Sequence, residues 1–165
     1  MTQESTVSND VVTTLLLKRV AGDGSCAFRA IAQGRALGTL SAQEEAQQAR
    51  ELRELAVRLL RQRGEEEMVG TGMTIRQVVL MKESYSSYES YCAAMARNDY
   101  AGETEFWLLS EELDIRIAIF INTDTGLDHL ITYGTGGQPP VCLLWQRGAS
   151  EAGNHYDSLI PQPSR

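Results

Sequence analysis

The hydrophobic period of this chain changes near residue 115, and that change limits the fold more than any other feature. Before it, apolar residues recur at helical spacing. Leu52, Leu55, Ala56, Leu59 and Leu60 form one stripe on a long helix. That helix opens behind Ser41, which with Glu44 makes a capping box, and ends at Gly64. On the same helix Arg50, Glu51, Arg53, Glu54, Arg58 and Arg61 read as a solvated face. Residues 26–36, 73–84, 86–98 and 103–113 carry the helical period too. After residue 115 the runs RIAIFIN (116–122), HLITYG (129–134) and VCLLWQ (141–146) are rich in β-branched, apolar and aromatic residues. Turn residues separate them, so they read as a meander of strands, followed by a last strand at 155–160. One β-branched run, VVTTLLLKRV (11–20), precedes the helices. Helices early and strands late specify an α+β arrangement in which the first strand joins the late sheet. Residues 1–10 read as a flexible N-terminus and 11–162 as one domain with enough chain to bury a core.

The segment GDGSCAFRAIAQG (22–34) sets a cysteine between a polar, glycine-flanked loop and an apolar helix. Gly22, Asp23, Gly24 and Ser25 are turn and cap residues, so Cys26 falls at a helix start. There the first N–H groups lack partners and favour negative charge. A thiol ordinarily titrates near ~8.5, and a helix N-terminus with an imidazolium lowers that to roughly 3.5–7.5. Cys26 is thus expected as a thiolate nucleophile, with N–H groups of the Asp23–Cys26 loop as donors to an oxyanion. Cys92 and Cys142 lie inside apolar periodic segments and read as core.

A cysteine nucleophile needs a base. Of the two histidines, His129 opens a strand, while His155 sits in NHYDSLI. On a strand, residues i and i+2 share a face, so Asp157 lies beside His155 and can orient its imidazole. The other ring nitrogen is then left for Cys26. Asn154 ranks below Asp157 as an orienting group because neighbouring side chains point oppositely.

Composition narrows the partners. Acidic residues outnumber basic ones, 22 to 15, for a formal charge of −7, which argues against nucleic acid. Apolar runs are too short to span a membrane, and the N-terminus has no targeting pattern. Three cysteines without a C-x-x-C pair argue against a disulfide framework or zinc site and for a reducing compartment, cytoplasmic or nuclear. No cofactor or metal is expected.

Three blocks carry a family resemblance: GDGSCAFRA (22–30), YAGETEFWLLS (100–110) followed by RIAIFI (116–121), and NHYDSL (154–159). In this order they resemble the ovarian-tumour (OTU) domain cysteine proteases, from about residue 12 to 160. The resemblance implies a papain-like α+β fold, with a small, mainly antiparallel sheet packed between helices. It implies a monomeric thiol hydrolase that releases ubiquitin, polyubiquitin or a related modifier from lysine side chains through an acyl-enzyme. Cys26 matches the nucleophile, His155 the general base, Asp157 its orienting acid and Asp23 the loop aspartate associated with the oxyanion site. A carboxylate aimed at an oxyanion would oppose it, so Asp23 is expected to hold backbone groups instead. The alternatives are a cysteine hydrolase or acyl transferase acting on another modifier or peptide, and an inactive ubiquitin-binding module. The substrate tail implied by the resemblance is basic, with Glu65–Glu67 and Glu111–Asp114 as acidic residues that could attract it.

Overall fold

The computed structural model describes residues 2–7, 11–82, 84–150 and 153–162. In chain order the elements are β1 (Thr2–Val7), β2 (Val11–Lys18), α1 (Cys26–Arg35), α2 (Ala42–Arg63), β3 (Glu67–Met68), β4 (Met73–Thr74), α3 (Ile75–Leu80), α4 (Tyr88–Arg97), α5 (Glu103–Glu112), β5 (Ile117–Thr123), β6 (Gly126–Tyr133), β7 (Val141–Ser150) and β8 (Gly153–Gln162). Helices cluster early and the main strands late, with β2 joining the sheet beside β8.

Two expectations about the strands are corrected. Thr2–Val7, read from sequence within a flexible end, pair antiparallel with Val11–Leu16 and form an edge strand; residues 1 and 8–10 lie outside the described residues. The late strands are not a simple meander, because the sheet order is β1-β2-β8-β7-β5-β6. After β6 the segment GTGGQPP carries the chain back, and Val141 N–H donates to Arg116 C=O at 2.8 Å. That bond starts β7 parallel to β5 on the side away from β6. Pro139 and Pro140 lie in this connection and lack N–H groups, so no ladder forms before Val141.

The helices are shorter than, or equal to, their periodic windows. Ser41 accepts from Glu44 N–H and the Glu44 side chain returns the bond, so α2 begins where the capping box places it. Residues 73–84 shrink to α3 because Thr74 is a cap, bonded reciprocally with Gln77, while Met73 and Thr74 pair with Glu67 and Met68. Residue 83 lies outside the described residues.

Helix α1 is apolar on nearly all sides because it is a middle layer, with α2 on one side and β7 and β8 on the other. Its approach to the sheet depends on Gly34: a Cβ there would lie 2.6 Å from Val141 Cγ1. The main core joins α1, α2, α4 and α5 to one face of β5, β7 and β8. The opposite face carries a smaller cluster of Leu15, Ala118, Cys142, Leu144 and Leu159, contributed by strands alone. Cys92 and Cys142 are buried, as expected of core thiols. In the helical layer Glu105 is wholly buried. It accepts from Gly102 N–H (2.7 Å) and Tyr91 O–H (2.5 Å), while burial pushes its carboxyl upward.

Ser41→Ala removes one of the two reciprocal bonds that start α2. It is expected to cost about 1 kcal/mol and lower Tm by roughly 2–4 °C, measured by thermal unfolding followed by circular dichroism.

Candidate active site

Alternation along β8 separates its side chains. Tyr156 faces the helical core and meets the Phe106 ring edge-on at 5.2 Å. Asp157 points the other way, toward the strand-only cluster side of Leu144 and Leu159. His155 lies two residues before it, and His155 Nε2 is 2.7 Å from Asp157 Oδ1. The orienting pair read from spacing is therefore formed.

Asp157 is 2% exposed, and a buried carboxylate needs donors. It has three. Besides His155, Val20 N–H donates to Oδ1 at 3.0 Å and Gln146 Nε2 donates to Oδ2 at 2.7 Å. Gln146 is the residue directly opposite His155 across the β7–β8 ladder, so its reach to Asp157 is a diagonal cross-strand contact. The sequence reading missed Gln146, whose only sign is a polar residue closing the apolar run VCLLW. With two other N–H groups on the same carboxylate, Asp157 acts as an acceptor and Nε2 carries the proton. The free lone pair of His155 is then on Nδ1.

Nδ1 faces the cysteine loop. A Cβ at Gly22 would lie 3.7 Å from it. Cys26 Sγ is 3.7 Å from the Asn154 carbonyl, and the backbone N–H of Tyr156 also reaches the sulfur. The thiol thus lies against the backbone on both sides of His155, bringing the two chain ends to one place. Asn154 contributes this carbonyl rather than a side-chain contact to the pair. His129 is elsewhere, bonded to Thr132 on β6 and edge-on to Phe120.

The loop before Cys26 is held from two sides. Asp23 Oδ1 accepts from Ser25 N–H at 2.9 Å, the backbone-holding contact expected of it. Asp23 Oδ2 pairs with Arg29 at 3.3 Å, and Arg29 also reaches Glu45 at 3.4 Å. Glu45 in turn accepts from buried Gln33 at 2.7 Å. On the other side the loop abuts the end of α4: a Cβ at Gly24 would lie 1.9 Å from Asn98 O. The loop has no room for a side chain at that position. Arg53 is 6% exposed and enters the same contact, contrary to its reading as a solvated residue. It faces inward because α1 and α4 converge on that side of α2, and its charge is met by backbone carbonyls of Gly24, Met95 and Asp99.

Two electrostatic expectations are corrected. The Cys26 thiol was expected to be lowered, but burial pushes it upward, with Asp23 and Asp157 adding to the rise; N–H groups of Tyr156 and Ala27 oppose this. Cys26 is 1% exposed, so desolvation outweighs the helix end. The loop donors are also partly used: Cys26 N–H donates to Asp23 C=O at 3.1 Å, and Ser25 N–H to the Asp23 carboxylate. Of the acids named as possible attractors, Glu65 pairs with Arg76, while Glu66 and Glu111 share Arg63, so that charge is only partly offset locally.

The sequence matches the OTU-like cysteine protease family over residues 21–156, and the chain belongs to that family. No curated protein matches it. Its fold is similar to solved OTU domains. One, an OTU domain in complex with ubiquitin, is 18% identical with a TM-score of 0.64, over 98% of this chain and 77% of that one. The viral OTU domain protease from Qalyub virus is 16% identical with a TM-score of 0.62, over 98% of this chain and 100% of that one. The Hazara virus OTU bound to ubiquitin is 17% identical with a TM-score of 0.61, over 99% and 97%.

A raised thiol fixes the sign of a pH effect. The folded state holds the Cys26 proton more tightly than the unfolded chain does. Its contribution to stability is therefore complete below the unfolded thiol value and is lost as pH rises through the folded value. In the free protein, iodoacetamide alkylation of Cys26 should be slower than that of free cysteine and should keep rising with pH beyond the ordinary thiol range. Peptide mass spectrometry across a pH series checks this; a plateau below that range would refute it.

Proposed function

We propose that the chain is a cysteine-type deubiquitinase that hydrolyses isopeptide bonds at the C-terminus of ubiquitin. The observation that carries this is the arrangement at one end of the sheet. His155 Nε2 is fixed on a fully partnered Asp157, its Nδ1 edge faces the Cys26 loop, and the sulfur rests against Asn154 and Tyr156. Family membership supports the hydrolase class. Ubiquitin as substrate is supported by similarity to OTU domains solved with it.

The resting nucleophile is a thiol, so activation falls to His155. As Sγ exchanges its contact with the Asn154 carbonyl for the substrate carbonyl carbon, Nδ1 takes the thiol proton. An S–C bond forms and the carbonyl electrons move onto oxygen. When that oxygen collapses back, the C–N bond breaks and the imidazolium protonates the leaving lysine amine. A thioester remains. Water then attacks it, giving its proton to His155, and the carboxylic acid leaves as the thiol re-forms. Asp157 stays ionised throughout, holding the ring and stabilising its positive charge. Asp23 and Arg29 keep the loop in shape.

A fluorogenic ubiquitin substrate tests this reading. Turnover should vanish in Cys26→Ala with ubiquitin binding retained, and a ubiquitin-propargyl probe should label Cys26. Asp157→Asn should lower kcat by about 10²–10⁴-fold, the range associated with general acid–base catalysis. Labelling by small acyl electrophiles alone would point to a different cysteine hydrolase. Ubiquitin binding without turnover in the native chain would point to a binding module.

A further inference from the structure

Ser25 occupies the N-cap of α1, yet its side chain caps nothing. An N-cap serine ordinarily accepts from the N–H of the second or third helical residue, here Ala27 or Phe28. The other internal acceptor for Phe28 N–H is the carbonyl four residues back, that of Gly24. Both acceptors are held by one group. Arg53 Nη2 donates to Gly24 O at 2.7 Å and to Ser25 Oγ at 3.2 Å. The helical hydrogen bonding that does cross this boundary begins one residue later, with Arg29 N–H on Ser25 C=O at 2.9 Å.

Arg53 is itself immobilised. Its Nη1 donates to Met95 O at 2.8 Å and Asp99 O at 2.9 Å, at the end of α4, and its guanidinium lies 4.7 Å over the Phe28 ring. A planar fork with five donors can hold these carbonyls and the loop at once; an ammonium cannot. Burial lowers the Arg53 guanidinium, against the opposing pull of Asp23, Asp99, Glu105 and a charged Cys26. The cation is therefore within electrostatic reach of the sulfur.

We propose that Arg53 is a positioning residue for the reaction: by drawing the Gly24 carbonyl and the Ser25 hydroxyl away from the first turn of α1, it keeps the N–H groups of Ala27 and Phe28 open to the negative charge that develops at Cys26. The role presupposes that Cys26 is the nucleophile proposed above. Without the guanidinium, Ser25 turns onto the first-turn N–H groups as an ordinary cap. The helix gains a bond, and the sulfur loses donors.

The test compares the native chain with Arg53→Met, Arg53→Lys and Arg53→Met combined with Ser25→Ala. For a fluorogenic ubiquitin substrate, both single variants are expected to lose at least tenfold in kcat with KM within twofold of native. Removing the Ser25 hydroxyl from Arg53→Met should recover at least threefold of that loss, which a purely structural role for Arg53 does not predict. Iodoacetamide alkylation of Cys26, which needs no ubiquitin, should move to higher pH in Arg53→Met. This measurement reads Arg53 even where the native chain turns over no ubiquitin substrate, so failure of the two readings can be told apart. Folded fraction is followed by near-ultraviolet circular dichroism; should Arg53→Met not fold, Arg53→Lys and its Ser25→Ala double variant carry the same comparison. A kcat within twofold of native overturns the proposal. So does an unshifted alkylation profile, a loss accounted for by the unfolded fraction, or a double variant no faster than its parent.

Discussion

A carboxylate buried at the end of a sheet is tolerable only if every part of it finds a donor, and Asp157 meets that condition by drawing on three separate segments. The imidazole of His155 comes from its own strand, the Gln146 amide from β7, and the Val20 N–H from the chain that leaves β2. Removing any one leaves part of a charge desolvated. The same contacts therefore fix β8 against β7, hold the segment at residues 20–22 across the strand ends, and set the tautomer of the histidine. The geometry of the candidate site follows from the need to satisfy one buried anion.

The segment that Asp157 anchors leads directly into the cysteine loop, and that loop is the second crowded place in the molecule. It is held by charge on one side, through Asp23, Arg29 and Glu45, and by a buried cation on the other, through Arg53. The crowding has an electrostatic consequence. Water is excluded from the sulfur, so the thiol is favoured over the thiolate despite the helix end beneath it. In the mechanism proposed above, a protonated resting state places the burden of activation on the imidazole, which Asp157 holds through Nε2. Under that proposal, burial decides that the sulfur rather than the imidazole holds the proton at rest.

Much of this was legible in the sequence. The capping box at Ser41, the cysteine at a helix mouth, the buried Cys92 and Cys142, and the His155–Asp157 pairing all rest on relations within a few residues. Such relations survive in almost any tertiary context, because caps, helical stripes and the alternation of a strand are local geometry. The misses are of another kind. Arg53 sits among charged neighbours on α2 and looks like them, yet α1 and α4 converge on its side of the helix. Gln146 cannot be assigned to Asp157 until the β7–β8 register is known. The parallel pairing of β5 with β7 depends on where the chain goes after Pro140.

The sequence by itself determined which elements form, which residues could be nucleophile, base and orienting acid, and the family to which the chain belongs, since each is a matter of local spacing and residue chemistry. Tertiary structure alone decided which arginine turns inward, which glutamine completes the anion's shell, and whether the sulfur rests charged or neutral. Those outcomes depend on contacts between segments distant along the chain and on how much water the contacts exclude, and neither quantity is written in any short window of residues.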